Sequence, residues 1–124
     1  MIEAVSDVTA EELAARLGED DLVVLDVRSL AEFTGTFGAP CDPRQGHIPG
    51  ARHLELTDIL DATVERLREL VRLPIGAEVI AYCHTGARSA HAVEALAAAG
   101  YEARNYPGSW HEWSREPSLP VETR

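Results

Sequence analysis

Apolar residues in this chain follow two patterns that alternate along it. Short continuous runs, Leu22-Val23-Val24-Leu25 and Glu78-Val79-Ile80-Ala81-Tyr82, are rich in β-branched residues and read as strands buried on both faces, as in a parallel sheet. Between them, apolar residues recur at helical spacing. Thr9 with Glu12 three positions on makes a capping box, Leu13 and Leu17 form the buried stripe behind it, and Gly18 ends the helix. Ser29 and Glu32 open a second, short helix that closes near Gly35. The spacing predicts one helix from about Asp58 to Leu73, with Ile59, Leu60, Val64, Leu67, Leu70 and Val71 on its apolar face and Pro74 after its end. A short strand is expected over 52–54, an Ala-rich helix over 89–99 closed by Gly100, a strand over 103–106 and a short helix over 109–114, where Glu112 completes a third capping box. Strands that alternate with helices predict an α/β fold, with a mainly parallel central sheet, flanking helices and right-handed crossovers. In such folds sites lie outside the carboxyl ends of the strands.

Length and composition narrow the picture. The chain has 124 residues, which fits a single domain over 1–124. An apolar content of 45% is enough for a core, and no run is long enough to span a bilayer. The start of the chain lacks a basic region followed by an apolar run, so no secretory signal is expected and the cytoplasm is the expected location. The net charge of −10 argues against binding nucleic acid or an anionic membrane. It also repels an anionic substrate, so a local cluster of donors would have to overcome the field. The two cysteines, Cys41 and Cys83, make no disulfide framework.

Candidate chemistry centres on the run Cys83-His84-Thr85-Gly86-Ala87-Arg88-Ser89. A buried strand delivers the chain to Cys83, and a helix starts at about Ser89. The loop between them must turn sharply, which Gly86 permits. Its backbone N–H groups and the first helical turn would then surround the sulfur as an anion cradle. Such surroundings lower a thiol pKa and stabilise a thiolate nucleophile or a persulfide. Arg88 adds a charged fork that can hold an oxyanion. His84 either tunes the sulfur and binds substrate or is an exposed loop side chain; Thr85 is open in the same way. Ser89 reads as the cap of the following helix.

These residues resemble the rhodanese-like sulfurtransferases over nearly the whole chain. Four segments carry the resemblance: Leu25-Asp26-Val27-Arg28 at a strand end, Gly46-His47-Ile48-Pro49-Gly50-Ala51, the loop from Cys83 to Arg88, and Tyr106-Pro107-Gly108-Ser109-Trp110 with Trp113. The resemblance implies the three-layer rhodanese-like fold and a catalytic Cys83 that takes up a sulfane sulfur as a persulfide. It implies transfer to cyanide or a thiol, with His84, Thr85, Gly86, Ala87 and Arg88 forming the substrate-binding loop and no metal or organic cofactor. Related cell-division phosphatases have one residue more between Cys and Arg, to admit phosphate; here four residues separate Cys83 from Arg88, which suits sulfur transfer. The mercaptopyruvate-specific loop has a Thr where Arg88 stands, so thiosulfate is the expected donor. The large tandem enzymes of the family carry an Arg six residues after the strand-end Asp, where this chain has Glu32, and Pro107 replaces the usual Asp of the closing segment.

Supporting roles are expected elsewhere. Asp26 would brace the active-site region by hydrogen bonds, and Arg28 would pair with an acidic residue. His47 reads as a structural histidine bonded to backbone. Trp110 and Trp113, three apart, read as core residues. Cys41 lies six residues from His47, and two ligands are too few for a metal site, so none is expected. Cys41 is either an uninvolved loop thiol or a thiol that resolves Cys83. Besides a donor and an acceptor of small-molecule type, a protein could deliver or receive the sulfur. The rival functions are therefore a sulfur-carrier or partner-binding module and a thiol-based redox sensor.

Overall fold

The computed structural model describes residues 7–123. Its centre is a four-stranded sheet of strands β1 (Leu22–Asp26), β2 (Arg52–His53), β3 (Glu78–Tyr82) and β4 (Glu102–Asn105), in the order β2-β1-β3-β4. All three pairings are parallel, and Asp26 lies opposite Tyr82 in the β1–β3 register. After β1 the chain moves outward on one side to β2, then returns past β1 to β3 and continues to β4. The crevice at the carboxyl ends of β1 and β3 is therefore the topological switch point, where α/β sheets hold their ligands.

Strand alternation divides the core in two. Leu25, Val27, Val79, Ala81 and Cys83 face one side, against helices α3 (Leu56–Asp61), α4 (Val64–Val71) and α5 (Ala87–Ala98). Val24, Ile80 and Tyr82 face the other, against α1 (Ala10–Arg16), Trp110 and Trp113 of α6 (Ser109–Trp113). Helices on both faces of a parallel sheet make the expected α/β layers. Both tryptophans are fully buried. The remaining helix, α2 (Leu30–Thr34), leads off the end of β1 with the predicted Ser29–Glu32 capping box.

Three expectations are corrected. The helix predicted over 58–73 is two helices, because Ala62 is extended and the Thr63 hydroxyl accepts the Arg66 N–H to start a new one. The break lets Ile59, Leu67 and Val71 all reach the core while Leu60 and Val64 stay exposed. Helix α5 starts at Ala87, two residues earlier than expected, so Ser89 lies inside the first turn and is not its cap; Gly86, at φ 95°, holds that position. In α6 the third capping box does not form: Gly108 stands at the cap without a side-chain bond, and Glu112 instead accepts from the Tyr106 hydroxyl at 2.7 Å.

Candidate active site

Cys83 follows β3 directly, so the strand fixes its backbone at the switch point. The junction is clamped from α6: the Cys83 N–H donates to Ser109 Oγ (3.1 Å), the Trp110 N–H donates to the Cys83 carbonyl (2.9 Å) and the His111 N–H to the His84 carbonyl (2.9 Å). Ser109 holds its place at φ 54°, a conformation that costs a non-glycine residue about 1–3 kcal/mol, and its hydroxyl is anchored on the Tyr106 carbonyl at 2.8 Å.

The chain then folds back over the sulfur. The Gly86 N–H donates to Cys83 Sγ at 3.1 Å and the Ser89 hydroxyl lies 3.4 Å from it. Gly86 is at φ 95°, and a Cβ there would lie 2.7 Å from the Pro107 carbonyl oxygen, so only glycine fits. Asn105 Nδ2 donates to the Gly86 carbonyl at 3.2 Å, and the Ser89 hydroxyl lies within reach of both that carbonyl (3.2 Å) and Sγ, able to give its one proton to either. Burial pushes the Cys83 thiol up, but the Ser89 hydroxyl and the amides of Ser89, Gly86 and Thr85 outweigh it and hold the thiol below its ordinary value. The sulfur also sits at the amino end of α5, whose dipole favours the anion.

Arg88 stands at the mouth with a half-exposed side chain, and its two terminal nitrogens bond the Glu32 carboxylate at 3.1 and 3.2 Å. Glu32 therefore does more than close the α2 capping box: it ties α2 to the active-site loop. Burial alone would raise the Glu32 carboxyl; the bonds from Arg88 and Ser29 reverse this and bring it down to about 2. The His84 ring reaches Asp42, with Nε2 2.8 Å from Asp42 Oδ2.

Behind the loop, Asp26 and Arg28 form a buried ion pair. Asp26 Oδ1 accepts from the Arg28 backbone N–H at 2.9 Å, and Oδ2 accepts from Nη2 at 2.7 Å. Nη2 also reaches the Gly46 carbonyl at 2.6 Å, and the guanidinium lies over the rings of Tyr82 and Trp110. The His47 ring stacks on Phe33 at 3.7 Å, with Nδ1 2.7 Å from the Phe33 carbonyl. The structure thus brings Cys83, Gly86, Arg88 and Ser89 together, sets Asp26 and Arg28 beneath them, and leaves His47 at the base of α2. Asp42 and His111, which no spacing singled out, come from segments remote in the chain, and Ser109, named only within the closing segment, supplies the clamp on Cys83. A surface hollow lined by Asp20, Asp21, Leu73, Ile75, Glu78 and Glu102 lies at the opposite end of the strands, and its carboxylates disfavour an anion. Among the described residues no helix is long and apolar enough to cross a membrane.

Comparison with known proteins matches residues 9–116 to the family model for the rhodanese-like domain. The chain is 37% identical, over 94% of its length and 44% of the relative's, to a Pseudomonas aeruginosa protein named probable 3-mercaptopyruvate sulfurtransferase. It is 36% identical to thiosulfate sulfurtransferases of Pseudomonas aeruginosa, over 92% of this chain and 45% of the relative, and of Azotobacter vinelandii, over 89% and 43%. The chain thus spans less than half the length of these curated relatives. A crystal structure of a probable thiosulfate sulfurtransferase superimposes with a TM-score of 0.81 at 46% identity, covering 94% of this chain and 47% of that one. A persulfide form of EanB with ergothioneine shares the fold, with a TM-score of 0.84 at 20% identity over 94% of this chain and 28% of that one.

Proposed function

The chain belongs to the rhodanese-like domain family, and on that premise we propose that it transfers a sulfane sulfur from thiosulfate, or a similar donor, to a thiophilic acceptor through a persulfide on Cys83. The observation that carries this reading is the set of donors converging on one sulfur: the Gly86 amide at 3.1 Å and the Ser89 hydroxyl at 3.4 Å, at the start of α5. They favour the thiolate of Cys83, the nucleophilic form.

In the first step the thiolate attacks the sulfane sulfur of thiosulfate. A bond forms from Cys83 Sγ to that sulfur, the sulfur–sulfur bond of thiosulfate breaks, and sulfite leaves with the electron pair. The persulfide anion then occupies the cradle made by the loop from His84 to Arg88. In the second step a thiolate or cyanide attacks the outer sulfur, and Cys83 Sγ departs as a thiolate. The donors that stabilise the resting thiolate also make it a good leaving group. Arg88 is the charged group at the mouth, and two of its five donors serve Glu32, so the others remain for a sulfonate oxygen. That choice favours thiosulfate, the substrate in the names of one Pseudomonas relative and the Azotobacter one, over mercaptopyruvate, the substrate in the name of the other Pseudomonas relative. Asp26, Arg28 and His47 act as supports, and Thr85 and Ala87 shape the loop. A cellular thiol is the natural acceptor, and the cytoplasm, which keeps thiols reduced, is the compartment that suits it.

Incubation with thiosulfate followed by intact mass measurement tests the reading. The chain should gain one sulfur atom, lose it to cyanide with formation of thiocyanate, and gain none as Cys83→Ser. Sulfur uptake from a cysteine desulfurase but not from thiosulfate would replace the reading with that of a carrier module.

A further inference from the structure

Beside the Cys83 loop, four side chains from three separate segments converge. Cys41 and Asp42 come from the long loop after α2, His84 from the residue after Cys83, and His111 from α6. One ligand atom from each lies within 4.8 Å of the others. The Asp42 side chain is 1% exposed. Its Oδ1 is held from behind by the Arg115 guanidinium at 2.8 Å, with His111 Nδ1 3.7 Å away and the Cys41 thiol at 3.9 Å. Among the described residues neither its Oδ2 nor the buried His84 Nε2 has a hydrogen-bond partner, although the two are 2.8 Å apart. Two buried polar atoms this close must share a well-placed proton or a third body that satisfies both, and a cation is such a body. The two imidazole rings stand edge to face, with centroids 5.5 Å apart at 84°, so both can turn a nitrogen to a common point.

We propose that Cys41, Asp42, His84 and His111 bind a zinc ion. One thiolate, one carboxylate and two imidazoles are the donor number and softness that zinc takes in tetrahedral sites. Cys41 Sγ loses its proton to solvent on binding, and the thiolate and carboxylate together balance the ion's charge. Arg115, which bonds both the Asp42 carboxylate and the Cys41 carbonyl, orients two of the ligands from outside. The ion ties the loop carrying Cys41 and helix α6 to the residue next to the nucleophile. Exchange of the Cys41 proton for the ion also makes this site one unit more positive, beside the active-site loop of a chain whose net charge is −10. The site borrows His84 from the loop but not Cys83, so zinc binding can be read in Cys83→Ser protein apart from sulfur transfer.

The test uses full-length Cys83→Ser protein, which removes the nucleophile as a competing ligand. Titration with zinc against a chromophoric chelator should give one saturable site per chain. Cobalt in its place should give a thiolate-to-metal charge-transfer band. Adding Cys41→Ser should abolish the band, and Cys41→Ser or His111→Gln should each weaken zinc binding by more than about a hundredfold, beyond what loss of an outer-shell partner does. Cys41 and His111 are exposed, so neither change threatens the fold. Absence of saturable binding, binding indifferent to both substitutions, or a cobalt complex without the sulfur band would each overturn the proposal.

Discussion

At the scale of single residues, the chemistry rests on how few contacts set the state of Cys83. Ser89 illustrates this. From sequence it reads as a helix cap, but inside the first turn its hydroxyl is free to point at the sulfur, 3.4 Å away. Ser89→Ala should raise the Cys83 pKa and slow alkylation by iodoacetamide at neutral pH by tenfold or more, since a hydrogen bond to a charged group is worth about 1.5–3 kcal/mol. The pH profile of alkylation supplies the check. In the parent the rate should fall as pH drops through a midpoint below the ~8.5 of a free thiol, and in the variant that midpoint should move up. Gly86 is a stricter case. With φ at 95° and Pro107 against its missing Cβ, Gly86→Ala should cost about 1–3 kcal/mol in urea unfolding and abolish thiosulfate loading. A variant that loads sulfur normally would show that the loop tolerates another path over Cys83.

At the scale of elements, the site is an agreement between helices that are far apart in sequence. Helix α2 contributes Glu32, α5 contributes Arg88, and their pair spans 56 positions of the chain. Glu32 has its folded pKa depressed to about 2, so the stabilisation from this pair is fully present above the ordinary carboxylate value of ~4.5 and fades as pH falls toward 2. Glu32→Gln should therefore be less stable than the parent at pH 6, with the difference shrinking through that acid window; chemical denaturation at several pH values measures it. A gap independent of pH would assign the loss to packing. Element boundaries were legible where capping residues mark them, as at Thr9 and Ser29, whose hydroxyls accept from Glu12 and Glu32 as expected. They were misread where apolar spacing runs through a break. The stretch around Ala62 and Thr63 keeps helical periodicity on both sides, and only wrapping against the sheet reveals that two helices serve better than one.

At the scale of the whole molecule, the sheet delivers the site residues to the carboxyl ends of its central strands. The buried Asp26–Arg28 pair links the end of β1, the Gly46 carbonyl and the aromatic floor of Tyr82 and Trp110. Breaking such a pair strands a charge in the interior. Arg28→Met should destabilise the protein by about 3–5 kcal/mol in urea unfolding, and Asp26→Asn combined with Arg28→Met should recover part of the loss. No recovery in the double variant would mean that the contacts of Arg28 to backbone and rings outweigh its charge. The net charge of −10 acts at this scale too, since it opposes an anionic donor everywhere except where Arg88 and the α5 terminus offset it. Uptake of sulfur from thiosulfate should accordingly be faster at moderate than at very low ionic strength.

Strand and helix patterns, the caps at Thr9 and Ser29, and the placement of Cys83 after a buried strand all depend on residues close in sequence, and local physics determines them. Tertiary structure decided the rest. It decided that Glu32 meets Arg88, that Ser109 and Trp110 clamp the loop, and that Asp42 and His111 gather around His84. Those meetings depend on which strand edges are adjacent and where α6 packs, distances that no spacing along the chain encodes.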